Sequence, residues 1–194
     1  MDTATAQRKW PQGRGPFGFS RKTWPFIKVL VASSVSGLVF FVSTKHMIPW
    51  QPESWDAAGR LALITKCAIV ALLPVVLAVI IVTAQRLRPD RKVGRIVEPY
   101  TSLDINTRLI RNTTEQFVLL LVGLSGLSAY VTKSDALSIP VLTALFLIGR
   151  TLFWFGYHHN TFLRAYGFGL TFYPTVVVYC WLMIRMVFGI YIPI

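Results

Sequence analysis

The chain has 194 residues, of which 54% are hydrophobic and only 14% are charged. A soluble domain usually carries about 25% charged residues. Here the charges form short basic clusters between long apolar windows, which argues against a soluble fold and indicates a polytopic membrane protein. The net charge of +12 flanks those windows, so it is better explained by topology and anionic headgroups than by nucleic-acid binding.

Five apolar windows follow one another along the chain. A membrane-spanning helix needs about 20 residues, and the last four windows reach that length. The first window is shorter and contains three serines, but small residues are common where membrane helices pack closely. The sequence therefore predicts an all-α integral membrane protein with five spans: Ile27–Thr44, Leu61–Ala84, Leu109–Val131, Ala136–Tyr157 and Phe168–Ile190.

Basic residues are concentrated before the first window and between the second and third windows. Because basic flanks stay in the cytoplasm, residues 1–24 are expected to be a flexible cytoplasmic tail, with the loop 85–108 and the turn 158–167 on the same side. Five spans then place the C-terminus on the outer or lumenal side. We expect an endomembrane location, such as the endoplasmic reticulum, the Golgi or related vesicles.

The third window begins with a polar stripe. At 100° per residue, Asn112 lies about 40° and Glu115 about −20° from Arg108, so the three share one helix face. Asp104 is a plausible N-cap for this helix. Ionisable side chains are costly inside a membrane and commonly mark functional sites, although a structural ion pair between two helices is an alternative explanation.

The fourth window has a similar face, formed by Arg150, Phe153 and Tyr157 at about 0°, −60° and −20°. An aromatic belt at the interface suits Tyr157 but does not explain Arg150, which lies about two turns deeper. Since Glu115 and Arg150 have similar depths on antiparallel neighbours, we expect an ion pair between them.

With Arg164 at the start of the last span, these residues gather at one membrane leaflet. Such a pocket suits a small zwitterionic ligand with net negative charge, since Arg binds carboxylates and Glu binds an amine. A thiol beside an Arg would form the nucleophilic thiolate more readily. No metal site is expected, because the adjacent His158 and His159 point about 100° apart on a helix.

The two motifs resemble those of the MAPEG family, the membrane-associated proteins of eicosanoid and glutathione metabolism. The second helix of that family carries Arg-x3-Asn-x2-Glu, and its third helix carries an Arg followed after seven residues by a Tyr and after seven more by an Arg. The resemblance covers about residues 60–192 and includes the RAYGFG stretch. The residues that match are Arg108, Asn112 and Glu115, then Arg150, Tyr157 and Arg164.

The resemblance implies a four-helix bundle, here preceded by one extra transmembrane helix at residues 25–45, that assembles as a homotrimer. It implies that glutathione binds between subunits near the cytoplasmic leaflet, that Arg164 stabilises the thiolate, and that a cleft in the lipid admits a lipophilic substrate. The glutathione-binding residues would be Arg108, Asn112, Glu115, Arg150 and Tyr157. The small residues of the third span predict an oligomer interface: Gly123, Ser125, Gly126 and Ala129.

The chain departs from the enzymes of the family at two positions. Many of them have Tyr where this chain has Gln116, and Tyr or His where it has Phe153. The extra helix, the basic tail and the stretches NTTEQF and GFGLTFYP are closest to the mattrin branch, which is associated with trafficking and epithelial barrier roles. Two functions therefore stay open: a glutathione transferase or peroxidase, and a non-catalytic adaptor. A channel or transporter is disfavoured because paired broken helices are missing from the pattern.

Overall fold

The computed structural model describes residues 24–87 and 101–189. Most of the predicted tail 1–24, residues 88–100 of the predicted basic loop, and residues 190–194 lie outside these ranges. The described chain is helical, as predicted, and a short 3₁₀ turn at Lys133–Asp135 joins the third and fourth helices. The five α-helices are α1 (Trp24–Met47), α2 (Ala57–Arg86), α3 (Ser102–Tyr130), α4 (Ser138–His159) and α5 (Thr161–Phe188).

Four of the five described helices are long and apolar enough to cross a membrane, namely α1, α2, α4 and α5. Helix α3 is 29 residues long, which is ample for a span, but the first half of its sequence is rich in polar side chains. The length and composition of these four helices therefore support four of the five predicted spans. For α3, the span remains a prediction that its length permits.

Helices α2 to α5 form a four-helix bundle, and α1 packs outside it against α5 and α4. The central core lies between α2, α3, α4 and α5 and includes Ala71, Leu124, Leu127, Ile139 and Phe146, each at most 2% exposed. Most outward side chains of α2 are apolar and exposed, which fits a surface that faces lipid.

Helix α1 contacts α5 through small residues. Ser33 is fully buried, and a Cβ added at Gly169 would lie only 2.0 Å from its hydroxyl oxygen. One turn further along α1, a Cβ at Gly37 would meet Pro174 at 3.2 Å. These residues let the two helices approach closely, as small residues do in membranes.

We call the end of the bundle that carries the α1–α2 connection and the α3–α4 turn the loop end. There, Trp55 donates from its indole nitrogen to the carbonyl oxygen of Val131 at 3.2 Å. Asp56 caps α2 by accepting from the backbone nitrogen of Gly59 at 2.9 Å. The guanidinium of Arg60 stacks over Trp55 at 5.2 Å. Through the hydrogen bond from Trp55 to Val131, the α1–α2 connection is held against the start of the α3–α4 turn.

The opposite end, where α4 turns into α5, is called the turn end. The expected turn 158–167 is wrong, because α4 continues to His159 and α5 starts at Thr161. Asn160 alone connects them, and its side-chain oxygen caps α5 by accepting from the nitrogen of Phe162 at 2.9 Å. Two glycines allow this tight hairpin. A Cβ at Gly156 would lie 2.1 Å from the nitrogen of Arg164, and one at Gly167 would lie 2.4 Å from the nitrogen of Phe153.

Two of the small residues predicted to form an oligomer interface are used within the subunit. The position of a Cβ at Gly126 would be 2.6 Å from Leu182 of α5, and one at Gly123 would be 3.7 Å from Val178. Ser125 and Ala129 are exposed on α3. Spacing alone did not separate the residues that face α5 from those that face outward.

Candidate functional site

Arg150 lies at the centre of the candidate site and is only 2% exposed. One terminal nitrogen donates to the side-chain oxygen of Asn112 on α3 at 2.9 Å, and the other donates to the hydroxyl of Thr171 on α5. The guanidinium also lies 4.5 Å from the ring centre of Phe153. The side chain therefore links three helices, and its partners are neutral groups and an aromatic ring.

The expected ion pair between Glu115 and Arg150 is wrong. Glu115 is exposed on the outer face of α3, and none of the groups that the structure places against Arg150 is a carboxylate. The two residues do have similar depths, but Glu115 lies about 60° around the helix from Asn112. That rotation carries Glu115 past the edge of the buried face, whereas Asn112 still reaches Arg150.

A row of stacked side chains runs from Arg150 to the turn end. Phe153 meets Tyr157 edge-on with ring centres 5.0 Å apart. The guanidinium of Arg164 then lies 4.8 Å from the ring centre of Tyr157. The predicted common face of Arg150, Phe153 and Tyr157 is confirmed, and the glycine-lined α4–α5 hairpin brings Arg164 onto the end of that row.

Arg108 lies apart from this row. It is half exposed and pairs with Asp104 one turn earlier on α3, with both nitrogen–oxygen distances at 3.0 Å. The prediction that Asp104 is the N-cap is wrong, because Thr101 caps α3 by accepting from the backbone nitrogen of Asp104 at 3.3 Å. The carboxylate of Asp104 is therefore available to Arg108.

The predicted site residues fall into two groups. The structure brings together Asn112, Arg150, Tyr157 and Arg164 on the inner side of the bundle, while Arg108 and Glu115 face outward from α3. Gln116 belongs to neither group, since it is 5% exposed and its side-chain oxygen has no partner in the described part of the chain.

Thr171 is a further residue of the site that the sequence motifs do not include. Its hydroxyl accepts from Arg150 and donates to the carbonyl oxygen of Phe168 at 2.9 Å, so both of its hydrogen-bonding roles are filled. A signal was present in the sequence, because Thr171 follows Arg164 by seven residues and therefore lies about 20° from it on α5.

A cavity of about 220 Å³ adjoins Arg150 between α2, α3 and α4. Its wall is mostly apolar, and several of its outer residues are exposed on the surface of the bundle. The lining includes Leu77 and Ala78 of α2, Thr113 of α3, and Arg150, Thr151 and Trp154 of α4.

The fold and these apolar helices define a helical integral membrane protein. The MAPEG family model matches residues 64–184, which is more than half of the chain and includes every predicted site residue. The chain belongs to the MAPEG family, as the sequence motifs indicated.

Among curated proteins, the chain is similar to Transmembrane protein 79, also called mattrin, of Mus musculus, with 27% identity over 90% of this chain and 47% of the relative. Transmembrane protein 79 of Bos taurus is 27% identical over 78% of this chain and 39% of the relative. The chain thus spans less than half the length of these curated relatives. No solved structure matches it significantly.

Proposed function

We propose that this MAPEG-family protein binds glutathione at the turn end, between subunits of a homotrimer, and either joins its sulfur to lipophilic electrophiles or uses it to reduce lipophilic hydroperoxides. In the reduction, two glutathione molecules would become their disulfide while the hydroperoxide becomes an alcohol and water. The observation that carries this proposal is the Tyr157–Arg164 contact, in which the guanidinium lies 4.8 Å from the ring centre of Tyr157 and two residues of the family motif meet at the turn end. Arg108 would bind a carboxylate of glutathione and Glu115 its amine. Asn112 and Tyr157 would donate or accept neutral hydrogen bonds.

Arg150 would contribute to this site from within the subunit. Because it is enclosed by Asn112, Thr171 and two aromatic rings, it would fix the orientation of Asn112 and of the Phe153–Tyr157 row. Arg164 would act on the sulfur, since a neighbouring cation lowers the pKa of a thiol and the thiolate is the nucleophile. In a conjugation, the thiolate would form a carbon–sulfur bond while the leaving atom takes the bonding electrons and a proton.

The outer face of α3 supports assembly. Arg111, Thr114 and Glu115 are exposed there beside the apolar Val118 and Leu119, and together they line one shallow recess. Charged side chains are unfavourable on a lipid-facing surface, by about 2.5–3.5 kcal/mol or more at the centre of the bilayer and by less near its interface. The face is better suited to contact a second copy of the chain, with water or ligand between the copies, than to contact lipid.

Glutathione binding to the purified chain in nanodiscs, measured by calorimetry, tests the proposal. We expect Arg108→Ala to weaken binding by about tenfold or more, because a charge-assisted hydrogen bond contributes about 1.5–3 kcal/mol. Lys66→Ala is the control, since Lys66 is also an exposed cation but lies on α2, outside the family motif and outside the recess on α3. Absence of binding in the parent chain would refute the proposal.

Cross-linking of the same sample tests the assembly. We expect a trimer band in the parent chain and its loss in Glu115→Leu, whereas Val122→Leu on the exposed apolar part of α3 should leave the band unchanged. A monomer in the parent chain would remove the proposed site, because Arg108 and Glu115 would then have no opposite wall.

A second candidate is a non-catalytic scaffold that acts in membrane trafficking or barrier formation, like the mattrin branch. Two observations favour it: Arg150 and Asn112 are bonded within the subunit, and Gln116 points into the core rather than toward the outer face. In cells, this candidate predicts that Arg164→Ala preserves function while deletion of residues 1–24 impairs it. The opposite pattern would favour the enzyme.

We also propose that the protein lies in an endomembrane, with its turn end cytoplasmic and its C-terminus lumenal. Arg86, Arg108 and Arg164 lie near the ends of α2, α3 and α5 at the turn end and support this orientation, because Lys and Arg are enriched on the cytoplasmic side. Protease protection of tags placed at the two termini of the chain in sealed vesicles distinguishes the two orientations.

A further inference from the structure

Helix α1 lies outside the residues that the family model matches, but one side of it is tightly packed. Within Ile27–Thr44, the buried positions are Ser33 and Gly37, and the other positions of this range are exposed or partly exposed. A Cβ added at Gly169 of α5 would overlap the hydroxyl of Ser33, and a Cβ at Gly37 would meet Pro174 of α5 at 3.2 Å. The buried side of α1 therefore lies against the first half of α5.

The same part of α5 is packed just as closely on its other side. A Cβ at Gly167 would overlap the backbone nitrogen of Phe153 and would lie 2.6 Å from the carbonyl oxygen of Gly149, so the backbones of α4 and α5 touch there. Gly167 and Gly169 are two residues apart, which corresponds to about 200° on a helix, so they face nearly opposite directions. Residues 167–169 of α5 are therefore enclosed between α4 on one side and α1 on the other.

Arg164 lies one turn before this enclosed segment of α5. Its guanidinium lies 4.8 Å from the ring centre of Tyr157, which is one turn beyond Phe153 on α4. Cation–π attraction requires a separation of about 6 Å or less, so moving α5 away from α4 by about 1 Å would bring the contact to this limit. The close approach of α4 and α5 at Gly167 is thus what keeps Arg164 over the ring.

The small size of Ser33, rather than its hydrogen bonding, accounts for the close fit of α1. Its hydroxyl donates to the carbonyl oxygen of Leu30 in the same helix at 2.8 Å, so it needs no partner on α5. Because lipid supplies no hydrophobic force between helices, close packing of small residues is a main source of their association. Ser33 contacts α5 at Gly169, where α5 has no side chain of its own.

We propose that α1 positions Arg164 for the thiol of the ligand. The contact between Ser33 and Gly169 holds α5 against α4, and this keeps the Arg164 guanidinium over Tyr157. Displacement of α1 lets α5 move outward and lowers the share of bound glutathione that is a thiolate. Ser33 and Gly169 are positioning residues, since they act through Arg164. The inference rests on the proposed function for the identity of the ligand and for the action of Arg164 on the sulfur, but not for the contact between Arg164 and Tyr157.

A fluorine label at Tyr157 tests the positioning without any ligand. Tyr157 of the full chain is replaced by a fluorotyrosine and its fluorine resonance is recorded in nanodiscs, with Arg164→Ala as the reference for a ring that has lost its cation. Gly169→Ala should move the resonance toward that of Arg164→Ala, because the atoms nearest the added Cβ belong to Ser33 and Leu30 of α1. Loss of the α1 contact is therefore the direct effect of this variant.

A compensating substitution is the control for this effect. In the double variant Gly169→Ala with Ser33→Gly, α5 carries the side chain and α1 lacks it, so the helices can approach again and the resonance should return to the parent position. The matched control combines Gly169→Ala with Ser36→Gly, because Ser36 is a partly exposed serine of α1 whose hydroxyl bonds within its own helix. No return is expected there. Gly37→Ala is a milder variant of the same contact and should move the resonance in the same direction even where Gly169→Ala yields no folded sample.

Glutathione binding separates this inference from the proposed function. In Gly169→Ala, the pH midpoint at which bound glutathione forms its thiolate should rise by about one pH unit, while the affinity should change little because it depends mainly on Arg108 and Glu115. Absence of binding in the parent chain would refute the proposed function, and the fluorine resonance would still decide whether α1 positions Arg164. The inference is overturned by a resonance of Gly169→Ala equal to that of the parent, by no return in the double variant, or by an unchanged thiolate midpoint where the parent binds glutathione.

Discussion

The close α4–α5 hairpin makes Gly156 a sensitive position. A Cβ there would lie 2.1 Å from the nitrogen and 2.5 Å from the Cα of Arg164, whereas ordinary contacts begin near 3.4 Å. In Gly156→Ala the hairpin backbone must therefore open by more than 1 Å, since no flexible side chain can yield. Such overpacking costs about 1–3 kcal/mol or more, while the gain in helix propensity from Gly to Ala returns only about 1 kcal/mol.

Thermal unfolding of the parent and the variant in the same detergent measures this difference. Because the added Cβ meets backbone atoms, the upper end of that cost applies and leaves a net loss of about 2 kcal/mol, which should lower the Tm by roughly 4–8 °C for a chain of this size. Gly123→Ala is the matched control, because its Cβ would meet Val178 at an ordinary 3.7 Å. That variant should keep or raise the Tm. A Tm for Gly156→Ala equal to that of the parent, or equal losses in both variants, would refute the reasoning.

Three further variants address the site and the loop end. Thr171→Val removes a hydrogen-bond acceptor of Arg150 and should lower the free energy of unfolding, measured with denaturant, by about 1–3 kcal/mol. Thr175→Val should lower it by less, because the hydroxyl of Thr175 bonds within α5. Equal losses in the two variants would contradict the role of Thr171. Tyr157→Phe keeps the ring under Arg164, so it should leave the Tm unchanged, but it should weaken glutathione binding because the proposed hydrogen bond from the hydroxyl is lost. Tyr157→Leu should also lose about 0.5–1 kcal/mol of cation–π stabilisation. The Tm of Tyr157→Leu should therefore be lower than that of Tyr157→Phe, and equal values would contradict the contact. Trp55→Phe removes the bond to Val131 and should destabilise the chain by about 0.5–1.5 kcal/mol in the same assay, with an unchanged midpoint counting against that contact.

Helix positions were predictable because long apolar windows leave few alternatives in a bilayer. The face shared by Arg150, Phe153 and Tyr157 was also predictable, since it follows from the helical repeat alone. Both predictions depend on local geometry, which a single sequence contains.

Partners across helices were harder to predict. Depth suggested Glu115 for Arg150, but the rotation of α3 about its axis selected Asn112, and that rotation is set by packing with α2, α4 and α5. The length of the α4–α5 turn was misjudged for a related reason. The polar residues 158–167 are typical of a loop, yet close backbone contacts at Gly156 and Gly167 allow both helices to continue through them.

The packing of α1 on α5 has a consequence for how the protein is made. Ser33 is synthesised well before the surface around Gly169 that buries it, because the two residues lie 169 − 33 = 136 positions apart in the chain. At about 5–20 residues per second, α1 must wait on the order of ten seconds in the membrane before its partner arrives. A nascent chain that stops before α5 would leave Ser33 and Gly37 of α1 exposed to lipid, where quality-control factors or a non-native helix could bind them.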